Sequence, residues 1–494
     1  MPKHHFLAFD FGAESGRAIL GTLYKRERVE IKEIHRFPTG QISLQKHYYW
    51  NVFRFYEEIV KALHICVNEE NIIPESVGVD TWGVDFGLIC KDGSILRTPY
   101  SYRDPMTETS MPAFLERMDR EELYKKTGIA IHKFNTVYQL YAMIMANDPV
   151  LRIADKLLFM PDLINYLLTG EVKSEFTFAT TSQLFNPNEM AWDADIIRKL
   201  GISPDLLPEV VSPGTVIGVL NQHISRSIVV EGVKVIAVTS HDTASAIATV
   251  PAEGDDWAYI SSGTWSLMGV ETREVITDMP AMTFNFTNEG GAGGTFRFLK
   301  NIMGLWILQE CRKSWAKIEG KLSYSEIINM AEMAAPFQAM IDPDYAGFYN
   351  PLDMPAAIDT FCRHSGQVSP RGIGAITRTV LEGLALKYRM VLDQLEQVTA
   401  KRYNVIHIIG GGSRNQLLCQ FTTNATGRRV VTGPVEATAT GNLLMQAVGL
   451  GYLEDLDHIR RVVKNSFDLT TYDPSDRESW ENAYIMFKNI AKQN

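Results

Sequence analysis

The chain lacks the features of a secreted or membrane-spanning protein. Its 494 residues include only five cysteines, none in a C-x-x-C pair or at zinc-type spacing, which predicts reduced thiols and not a disulfide framework. No stretch approaches the roughly 18 consecutive apolar residues of a spanning helix. The N-terminal segment MPKHHFLAFDFG reaches polar residues before it could form the apolar region of a secretory signal. We therefore predict a cytoplasmic location and no membrane partner.

Positive charge is also in short supply. Lys and Arg number 48 against 58 Asp and Glu, which gives a net charge of −10. Nucleic acids and anionic membranes are bound through clustered positive charge, so neither is expected as a partner. Hydrophobic residues make up 45% and charged residues 21%, close to the average of globular proteins, which excludes wholesale disorder. The length is several times the common domain size of about 100 to 150 residues, so we expect two or more domains.

Short-period repeats and Pro-rich or Ser-rich linkers are missing as well, yet one local pattern occurs twice. The apolar run 6–9, a polar turn and the apolar run 18–23 are typical of two strands joined by a turn. The segments WAYI and WSLMGVE flank a second such turn, Ser261-Ser262-Gly263-Thr264, half a chain later. This repetition predicts two related domains, which we divide as 1–245 and 246–494.

The remaining pattern alternates strands with helices, which favours an α/β architecture. Further strands are predicted at 76–84, 233–238, 405–409 and in VVTGP, and helices at 53–67, 137–146, 161–168, 376–398, 415–426 and 437–449.

The first turn carries groups suited to a phosphate. In the segment 10–17, DFGAESGR, a glycine-bearing turn lets several backbone N–H groups point into one concavity. Ser15 adds a hydroxyl, and Arg17 adds a fixed positive fork. Asp10, at the end of the first strand, could hold Mg²⁺ through water, since Mg²⁺ prefers oxygen ligands and keeps several of its waters. An ordinary hairpin with a polar turn is the alternative.

Two further glycine-containing loops could contribute to the same site. The turn 261–264 offers hydroxyl groups at the matching place in the second half, and two such loops could grip a nucleoside triphosphate from both sides. The segment 410–415, GGGSRN, follows a predicted buried strand but lacks the sixth glycine of a dinucleotide-binding fingerprint. Its glycines would still allow a backbone to approach adenine or the α-phosphate closely, unless they form only a packing turn.

A polar cluster follows the strand at 233–238. Reacting groups of α/β proteins commonly lie at the carboxyl ends of strands, which is where Thr239-Ser240-His241-Asp242-Thr243 stands. Asp242 could accept the proton of an attacking hydroxyl during phosphoryl transfer. Alternatively, Asp242 caps the following helix, or His241 is a core residue whose polar atoms are satisfied by the protein.

Two stretches resemble ligand-binding surface. Residues 80–85, DTWGVD, combine an indole with two carboxylates around a glycine, a mixture that suits a polyhydroxylated ligand. Residues 300–306, KNIMGLW, place polar side chains just before a predicted apolar helix. Core packing is the alternative for Trp82 and for Trp306.

Taken together, these segments resemble the FGGY carbohydrate kinases, which belong to the actin, hexokinase and Hsp70 superfamily. The resemblance covers essentially the whole chain, with matches in the same order and at similar spacing. The matching segments are DTWGVDF, FNTVYQL, MPDLINYLLTG, SHDTASA, SSGTWSLMG, NEGGAGG, LKNIMGLWILQ and HIIGGGSRN.

The resemblance implies a fold and a set of site residues. Two ribonuclease-H-like α/β domains, each with a βββαβα core, would face each other across a cleft that holds ATP. Asp242 would be the catalytic base, and Asp10 would orient Mg²⁺ through its waters. ATP would contact Ala13, Glu14, Ser15, Gly16, Arg17, Thr264, Gln309 and Gly411. The sugar would contact Gly83, His241, Asp242, Thr243 and Asn301.

The resemblance also implies a reaction, in which ATP and L-rhamnulose give ADP and L-rhamnulose 1-phosphate. The partners would be ATP and a ketose, and either a monomer or a dimer is compatible with the sequence. Kinases of L-fuculose or xylulose are the nearest alternatives, although DTWGVDF and KNIMGLW favour L-rhamnulose. A nucleotide-gated sugar sensor without chemistry is a more distant alternative, against which the intact Asp242 and both phosphate loops argue.

Overall fold

The computed structural model describes residues 3–318, 320 and 322–492. Within these residues the strands are β1 (Lys3–Phe11), β2 (Ser15–Tyr24), β3 (Arg28–Pro38), β4 (Ile42–Leu44), β5 (His47–Tyr49), β6 (Ser76–Thr81), β7 (Phe86–Ile89), β8 (Ile95–Arg97), β9 (Lys156–Phe159), β10 (Ser174–Glu175), β11 (Phe185–Asn186), β12 (Ala191–Trp192), β13 (Val210–Val211), β14 (Thr215–Val219), β15 (Lys234–Ala237), β16 (Trp257–Ser262), β17 (Trp265–Thr272), β18 (Thr287–Gly290), β19 (Phe296–Met303), β20 (Val405–Ile409), β21 (Arg429–Thr432) and β22 (Thr470–Tyr472).

The α-helices are α1 (Val52–His64), α2 (Thr107–Leu115), α3 (Arg120–Thr127), α4 (Thr136–Met145), α5 (Pro149–Ile153), α6 (Met160–Thr169), α7 (Phe176–Ala179), α8 (Ala194–Leu200), α9 (Gln222–Ile228), α10 (Asp242–Ala248), α11 (Met279–Thr283), α12 (Trp306–Ala316), α13 (Tyr324–Met333), α14 (Met354–His364), α15 (Ile373–Thr399), α16 (Gln416–Thr426), α17 (Ala437–Gly449), α18 (Leu456–Ser466) and α19 (Arg477–Ala491). A π-helical turn extends α1 over Ile65–Glu69, and short 3₁₀ turns lie at Thr180–Ser182, Pro204–Leu206, Ala292–Gly294, Ala346–Phe348 and Gly411–Arg414.

The chain divides into two compact units. Unit 1 comprises Met1–Thr249, Glu271–Phe298 and Ala437–Ser466. Unit 2 comprises Val250–Val270, Leu299–Glu436 and Phe467–Asn494. Both units are therefore discontinuous in sequence, since the chain returns to unit 1 for α17 and α18.

Unit 1 is built on a sheet with the strand order β14-β15-β6-β1-β2-β3. The strands β1, β2 and β3 pair antiparallel, whereas β6 pairs parallel to β1 and to β15. Helix α1 follows β3, and its side chains Val52, Phe55 and Ile59 are buried at helical spacing in one core with β1 and β6. The Asn51 side chain accepts from Arg54 N and so caps the start of this helix. This order is the predicted βββαβα core.

Unit 2 repeats the same plan. Its strands run in the order β19-β17-β16-β20-β21-β22, although β17 and β19 extend past the limits of the unit. The β16 and β17 strands pair antiparallel, and β20 pairs parallel to β16 and to β21. Helix α15, of 27 residues, follows the first three strands. The predicted fold class, with two ribonuclease-H-like cores, is confirmed.

Most predicted elements are present, with one instructive difference. The strand predicted at 76–84 ends at Thr81, because the backbone leaves the sheet before Trp82. Lys300 and Asn301 lie in β19, and the predicted apolar helix begins after them at Trp306, as α12. The five cysteines are free, as predicted, and no helix among the described residues has both the length and the apolarity to cross a bilayer.

Helices α10 and α17 approach closely within unit 1. A Cβ atom at Gly441 of α17 would lie 1.9 Å from the Ser245 carbonyl oxygen of α10, a separation at which backbone must move. Farther along α17, Asn442 donates from Nδ2 to Asp80 Oδ2 at 2.6 Å, and Gln446 donates from Nε2 to the Leu7 carbonyl at 3.1 Å. Buried amide groups thus fix α17 against β6 and β1.

We expect Gly441→Ala to lower the free energy of unfolding by about 1 to 3 kcal/mol, the usual cost of overpacking. We expect this net loss of stability even though alanine is more favourable than glycine inside a helix by roughly 1 kcal/mol. Gly40→Ala is the matched control, because a Cβ there meets no atom within 4 Å. Chemical denaturation of the three proteins measures the effect, and equal stability of Gly441→Ala and the control would contradict the close approach.

Candidate active site

The polar groups of unit 1 meet at one edge of its sheet. In the parallel pair of β1 and β6, Asp10 lies opposite Asp80. The backbone N–H of Thr81 donates to the Ser240 carbonyl at 2.9 Å, and Thr81 forms a parallel bridge with His241. The carboxyl ends of β1 and β6 and the segment after β15 are thereby aligned, which is where α/β proteins place their reacting groups.

The turn between β1 and β2 is compact. Gly12 N donates to the Ser15 carbonyl at 3.0 Å, and Thr39 Oγ1 donates to the Gly12 carbonyl at 2.5 Å. A Cβ at Gly16 would lie 2.3 Å from the Phe37 ring, so a larger residue would displace the start of β2. Arg17 forms an ion pair with Asp10, its antiparallel partner. Of the five residues predicted to contact phosphate, Ala13 and Glu14 lie in this turn, and Ser15, Gly16 and Arg17 begin β2.

Asp242 is the first residue of α10. Its Oδ1 atom accepts from Thr243 N at 2.5 Å and from Thr243 Oγ1 at 3.0 Å. His241, and not Asp242, occupies the N-cap position, and no side chain caps the helix there. The Asp242 side chain is 34% exposed, so its carboxylate remains accessible.

His241 is surrounded by charged groups that the sequence patterns did not single out. Arg297 donates from Nη2 to His241 Nδ1 at 3.0 Å, and Glu289 Oε2 lies 3.1 Å from the same Nη2. The backbone N–H of His241 donates to Thr177 Oγ1 at 3.2 Å, and that of Ser240 donates to Glu175 Oε2 at 3.1 Å.

One signal for Arg297 was present in the sequence. It is a lone arginine in the middle of the otherwise apolar FRFL stretch of β19, and its side chain is fully buried. A buried charge requires a partner, and Glu289 supplies it.

The segment 80–85 is largely buried, whereas its composition predicted a ligand-binding surface. Asp85 is fully buried, and its Oδ2 accepts from Trp50 Nε1 at 2.6 Å and from Trp82 Nε1 at 2.9 Å. The two indoles also pack together, with ring centroids 4.0 Å apart. Trp82 is therefore a core residue, as the alternative interpretation held.

Gly83 lies between this aromatic cluster and His241. A Cβ at Gly83 would stand 3.3 Å from His241 Nε2 and 3.5 Å from Thr181 Oγ1. The glycine thus places no side chain against the Nε2 edge of the imidazole, and it brings one predicted sugar-contact residue next to another.

Acidic groups crowd the same edge of the sheet. Burial and the neighbouring Asp10 raise the pKa of Asp80 well above its ordinary value, against the hydrogen bond from Asn442, and Asp242 adds to the increase. Asp80 Oδ1 is buried without a hydrogen-bond partner among the described residues. No group of three or more His, Cys, Asp or Glu in the described part of the chain is arranged to hold a metal ion.

In unit 2, two of the predicted nucleotide contacts are neighbours. Thr264 donates from Oγ1 to Gln309 Oε1 at 3.3 Å, and Gly304 N and Trp306 N each donate to the Thr264 carbonyl at 3.1 Å. The turn after β16 is thus tied to the start of α12. Asn301, on β19, has a buried Oδ1 atom without a hydrogen-bond partner in the described part of the chain.

Gly411 lies in the loop that follows β20. Gly410 has a φ of +79°, and a Cβ at Gly412 would lie 2.0 Å from Ser262 Oγ, so both flanking positions require glycine. A cavity of about 430 Å³ opens beside this loop, lined in part by Ser413, Arg414, Glu436 and Tyr472. Its volume lies within the range of small-ligand sites.

Comparison with known proteins decides the family. The FGGY family of carbohydrate kinases matches at residues 5–248 with its N-terminal domain and at residues 258–450 with its C-terminal domain. The chain belongs to this family. FGGY kinases are phosphotransferases that act on sugars, so the resemblance found in the sequence is confirmed, and ATP is the expected co-substrate.

Relatives within the family are similar over nearly the full chain. A rhamnulokinase from Bacteroides thetaiotaomicron is 44% identical over 490 residues, which cover 99% of this chain and 100% of the relative. A rhamnulokinase from Oceanobacillus iheyensis is 38% identical and covers 94% of this chain and 97% of the relative. The fold is similar to that of a ligand-bound xylulose kinase from Lactobacillus acidophilus, with a TM-score of 0.84, 15% identity and coverage of 99% and 98% of the two chains.

Because Asp85 is buried, we expect the stability of the protein to depend on pH. Burial raises its pKa to about 7, although hydrogen bonds from both indoles oppose this. The folded state therefore holds one more proton than the unfolded state between about pH 4 and 7, and the contribution of Asp85 to stability decreases as the pH rises through that window. Between about pH 4 and 7 we expect the free energy of unfolding of the wild type, relative to that of Asp85→Asn, to fall by roughly 1 kcal/mol per pH unit. Above pH 7 this difference should stay constant.

Urea unfolding of both proteins at several pH values between 5 and 8 measures this difference. Asp92→Asn is the control, because the Ser94 hydrogen bonds lower the pKa of the exposed Asp92, which is then ionised in both states above pH 5. A stability difference for Asp85→Asn that does not change with pH would contradict the prediction.

Proposed function

We propose that this chain transfers the γ-phosphoryl group of ATP to the C1 hydroxyl of L-rhamnulose, which gives ADP and L-rhamnulose 1-phosphate. The observation that carries the proposal is the accessible Asp242 carboxylate at the sheet edge, which the Thr81 pairing aligns with the phosphate-type turn. The similarity over nearly the full chain to proteins named rhamnulokinase supports this ketose. ATP as co-substrate and five free thiols support a cytoplasmic location.

In the proposed reaction Asp242 is the general base. Its carboxylate takes the proton of the C1 hydroxyl while that oxygen attacks the γ-phosphorus in line with the departing ADP oxygen. Thr243 holds Oδ1 with two hydrogen bonds, which orients the carboxylate without removing its accessibility. The proposed sugar contacts are Gly83, His241, Asp242, Thr243 and Asn301.

The nucleotide contacts are proposed in both units. The turn from Ala13 to Arg17 would bind the phosphates through backbone N–H groups, the Ser15 hydroxyl and the Arg17 guanidinium. Thr264, Gln309 and Gly411 of unit 2 are the remaining proposed nucleotide contacts, and the cavity beside the Gly411 loop has room for an adenosine.

Asp10 and Asp80 fit a hydrated magnesium ion. Acidic groups crowd this edge, and the orphaned Asp80 Oδ1 atom offers an acceptor that a metal-bound water could use. Asp10 would hold the ion through its waters, and the bound ion would offset phosphate charge during transfer.

Asp242→Asn removes the proposed base while it keeps the shape of the side chain. We expect kcat to fall by about 10² to 10⁴-fold with the ATP dissociation constant almost unchanged, because general bases contribute that much to rate. A coupled assay of ADP release and calorimetry of ATP binding measure the two quantities. Asp119→Asn is a matched control at the start of α3, where asparagine caps as well as aspartate. Near-normal turnover of Asp242→Asn would remove Asp242 from the base role.

Substrate identity is tested with a panel of ketoses. We expect kcat/KM to be highest for L-rhamnulose, with L-fuculose and D-xylulose weaker, and phosphate attached at C1 of the product. Steady-state ADP release and NMR of the phosphorylated sugar give both answers. An equal or higher kcat/KM on another ketose would overturn the choice of substrate, and sugar-dependent ATP binding without ADP release would favour a sensor.

A further inference from the structure

His241 stands between a buried ion pair and the proposed base, all within unit 1. On one side of the ring, Nδ1 lies 3.0 Å from Arg297 Nη2. On the other side, Nε2 lies 3.5 Å from Asp242 Oδ1. The imidazole is buried, so water has little access to compete for its nitrogen atoms.

The contact with Arg297 determines which ring nitrogen carries the proton. A guanidinium only donates hydrogen bonds, and it stays protonated in proteins. Nδ1 must therefore accept, which requires an unprotonated Nδ1. A neutral imidazole that accepts at Nδ1 carries its proton on Nε2.

Glu289 is the group that competes for the opposite arrangement. Its Oε2 atom lies 3.3 Å from Nδ1. The Arg297 guanidinium is closer to this oxygen, at 3.1 Å. Burial disfavours the charged form of Glu289, yet the Arg297 charge and, after it, the contact with His241 lower the pKa of this carboxyl to about 2. Glu289 thus holds Arg297 in place, and it is also the acceptor available to a proton on Nδ1.

The rest of the neighbourhood fixes the position of Arg297 and of the ring. Arg297 donates from Nε to the Gly290 carbonyl at 2.9 Å, which orients the guanidinium plane. The His241 backbone is held by Thr177 Oγ1, which in turn donates to Glu175 Oε2 at 2.5 Å. Phe178 contacts the imidazole edge to face, with centroids 6.3 Å apart.

We propose that Arg297, held by Glu289, is a positioning residue that keeps His241 as the neutral Nε2–H tautomer, with Nε2 at 3.5 Å from Asp242 Oδ1. This inference rests on the proposed function, in which Asp242 is the base. Thr243 N and Thr243 Oγ1 donate to Oδ1, and His241 Nε2 lies 3.5 Å from the same atom. The proton of the sugar hydroxyl consequently goes to Oδ2.

If the Arg297 donor is removed, the proton of the His241 ring moves to the other nitrogen. Nδ1 then takes the proton and donates to Glu289, which leaves an Nε2 lone pair facing the Asp242 carboxylate. Two acceptors opposed at short distance repel, so the carboxylate turns away from the orientation needed for proton transfer.

NMR of the wild-type protein tests the tautomer directly. In protein labelled with ¹⁵N-histidine, long-range proton–nitrogen correlations distinguish a protonated from an unprotonated ring nitrogen. The chain has 11 histidines, and the signals of His241 are those absent from His241→Gln. We expect protonated Nε2 and unprotonated Nδ1 for His241. A proton on Nδ1 in the wild type would overturn the proposal, whether or not the protein phosphorylates any ketose.

Arg297 variants test the dependence on the donor. We expect Arg297→Met to move a proton onto Nδ1 and to lower kcat by about 10 to 100-fold, part of the roughly 10² to 10⁴-fold that a well-oriented general base contributes, with a smaller change in KM. Arg297→Lys keeps a donor and should retain the Nε2–H signal with a smaller loss of kcat. If Arg297→Met fails to fold, Glu289→Gln combined with Arg297→Met removes both charges and serves in its place. An Nε2–H signal that persists without the donor would contradict the role of Arg297.

A double-mutant cycle separates this role from a loss of packing. The glutamine of His241→Gln carries its amide donor near the Nε2 position and has no tautomer to lose. We expect Arg297→Met to cost much less in kcat on the His241→Gln background than on the wild type. Equal losses on both backgrounds would assign Arg297 a merely structural role. If no ketose is phosphorylated at all, the proposed function fails, while the NMR result still decides the tautomer.

Discussion

The parallel pairing of β6 with β1 and with β15 is the constraint on which the rest of unit 1 depends. Parallel strands present their carboxyl ends at the same edge, so the register that sets Asp10 opposite Asp80 also sets the level at which the chain leaves the sheet. The Thr81 N–H to Ser240 carbonyl bond continues that pairing past the end of β15. The backbone position of Asp242 therefore depends on backbone hydrogen bonds, whereas the two hydrogen bonds from Thr243 orient its carboxylate.

This sheet edge contains buried backbone N–H groups that need hydrogen-bond partners, and neighbouring side chains supply them. Ser240 and His241 must leave the sheet with their N–H groups buried, and a buried amide without a partner would cost about 1 to 3 kcal/mol. Glu175 and Thr177 satisfy these two groups. Burial raises the pKa of Glu175 to about 7, against four hydrogen bonds that favour its charged form. The Glu175 carboxyl group therefore lies in an environment that disfavours its charge, and from there it holds the backbone that precedes the proposed base.

The α/β architecture and the two related domains could be predicted from local patterns that repeat, whereas the ribonuclease-H-like core was implied by the family resemblance. The two strand-turn-strand units, the 27-residue helix α15 and the buried strand β20 all have strong periodicity or continuous apolarity. The motif residues that the family resemblance marks, such as Asp242 and the turn Ala13–Arg17, lie next to such elements along the chain. Their local environment was therefore within reach of sequence reasoning.

The second layer of the site could not be predicted, because it depends on contacts between distant parts of the chain. Arg297 and His241 are 56 residues apart, and Asn442 and Asp80 are 362 residues apart. No spacing rule connects such pairs. The 80–85 segment shows the same limit, because its acidic and aromatic residues are as typical of a sugar-binding surface as of a buried cluster. Only the packing of Trp50 and the hydrogen bonds to Asp85 decide between them.

The overall charge of −10 can be reconciled with an anionic co-substrate through the same geometry. Arg17 is already paired with Asp10, so its charge is partly neutralised before any phosphate arrives. If the turn binds phosphate as proposed, its fixed positive potential would come mainly from backbone N–H groups, which add no net charge and have no titrating proton to lose. At the same edge the raised pKa of Asp80 favours its uncharged form, so Asp10 is the carboxylate that a bound triphosphate would meet. The proposed turn would therefore favour the metal complex of the nucleotide over the free nucleotide, because the cation offsets phosphate charge that the paired Arg17 offsets only in part.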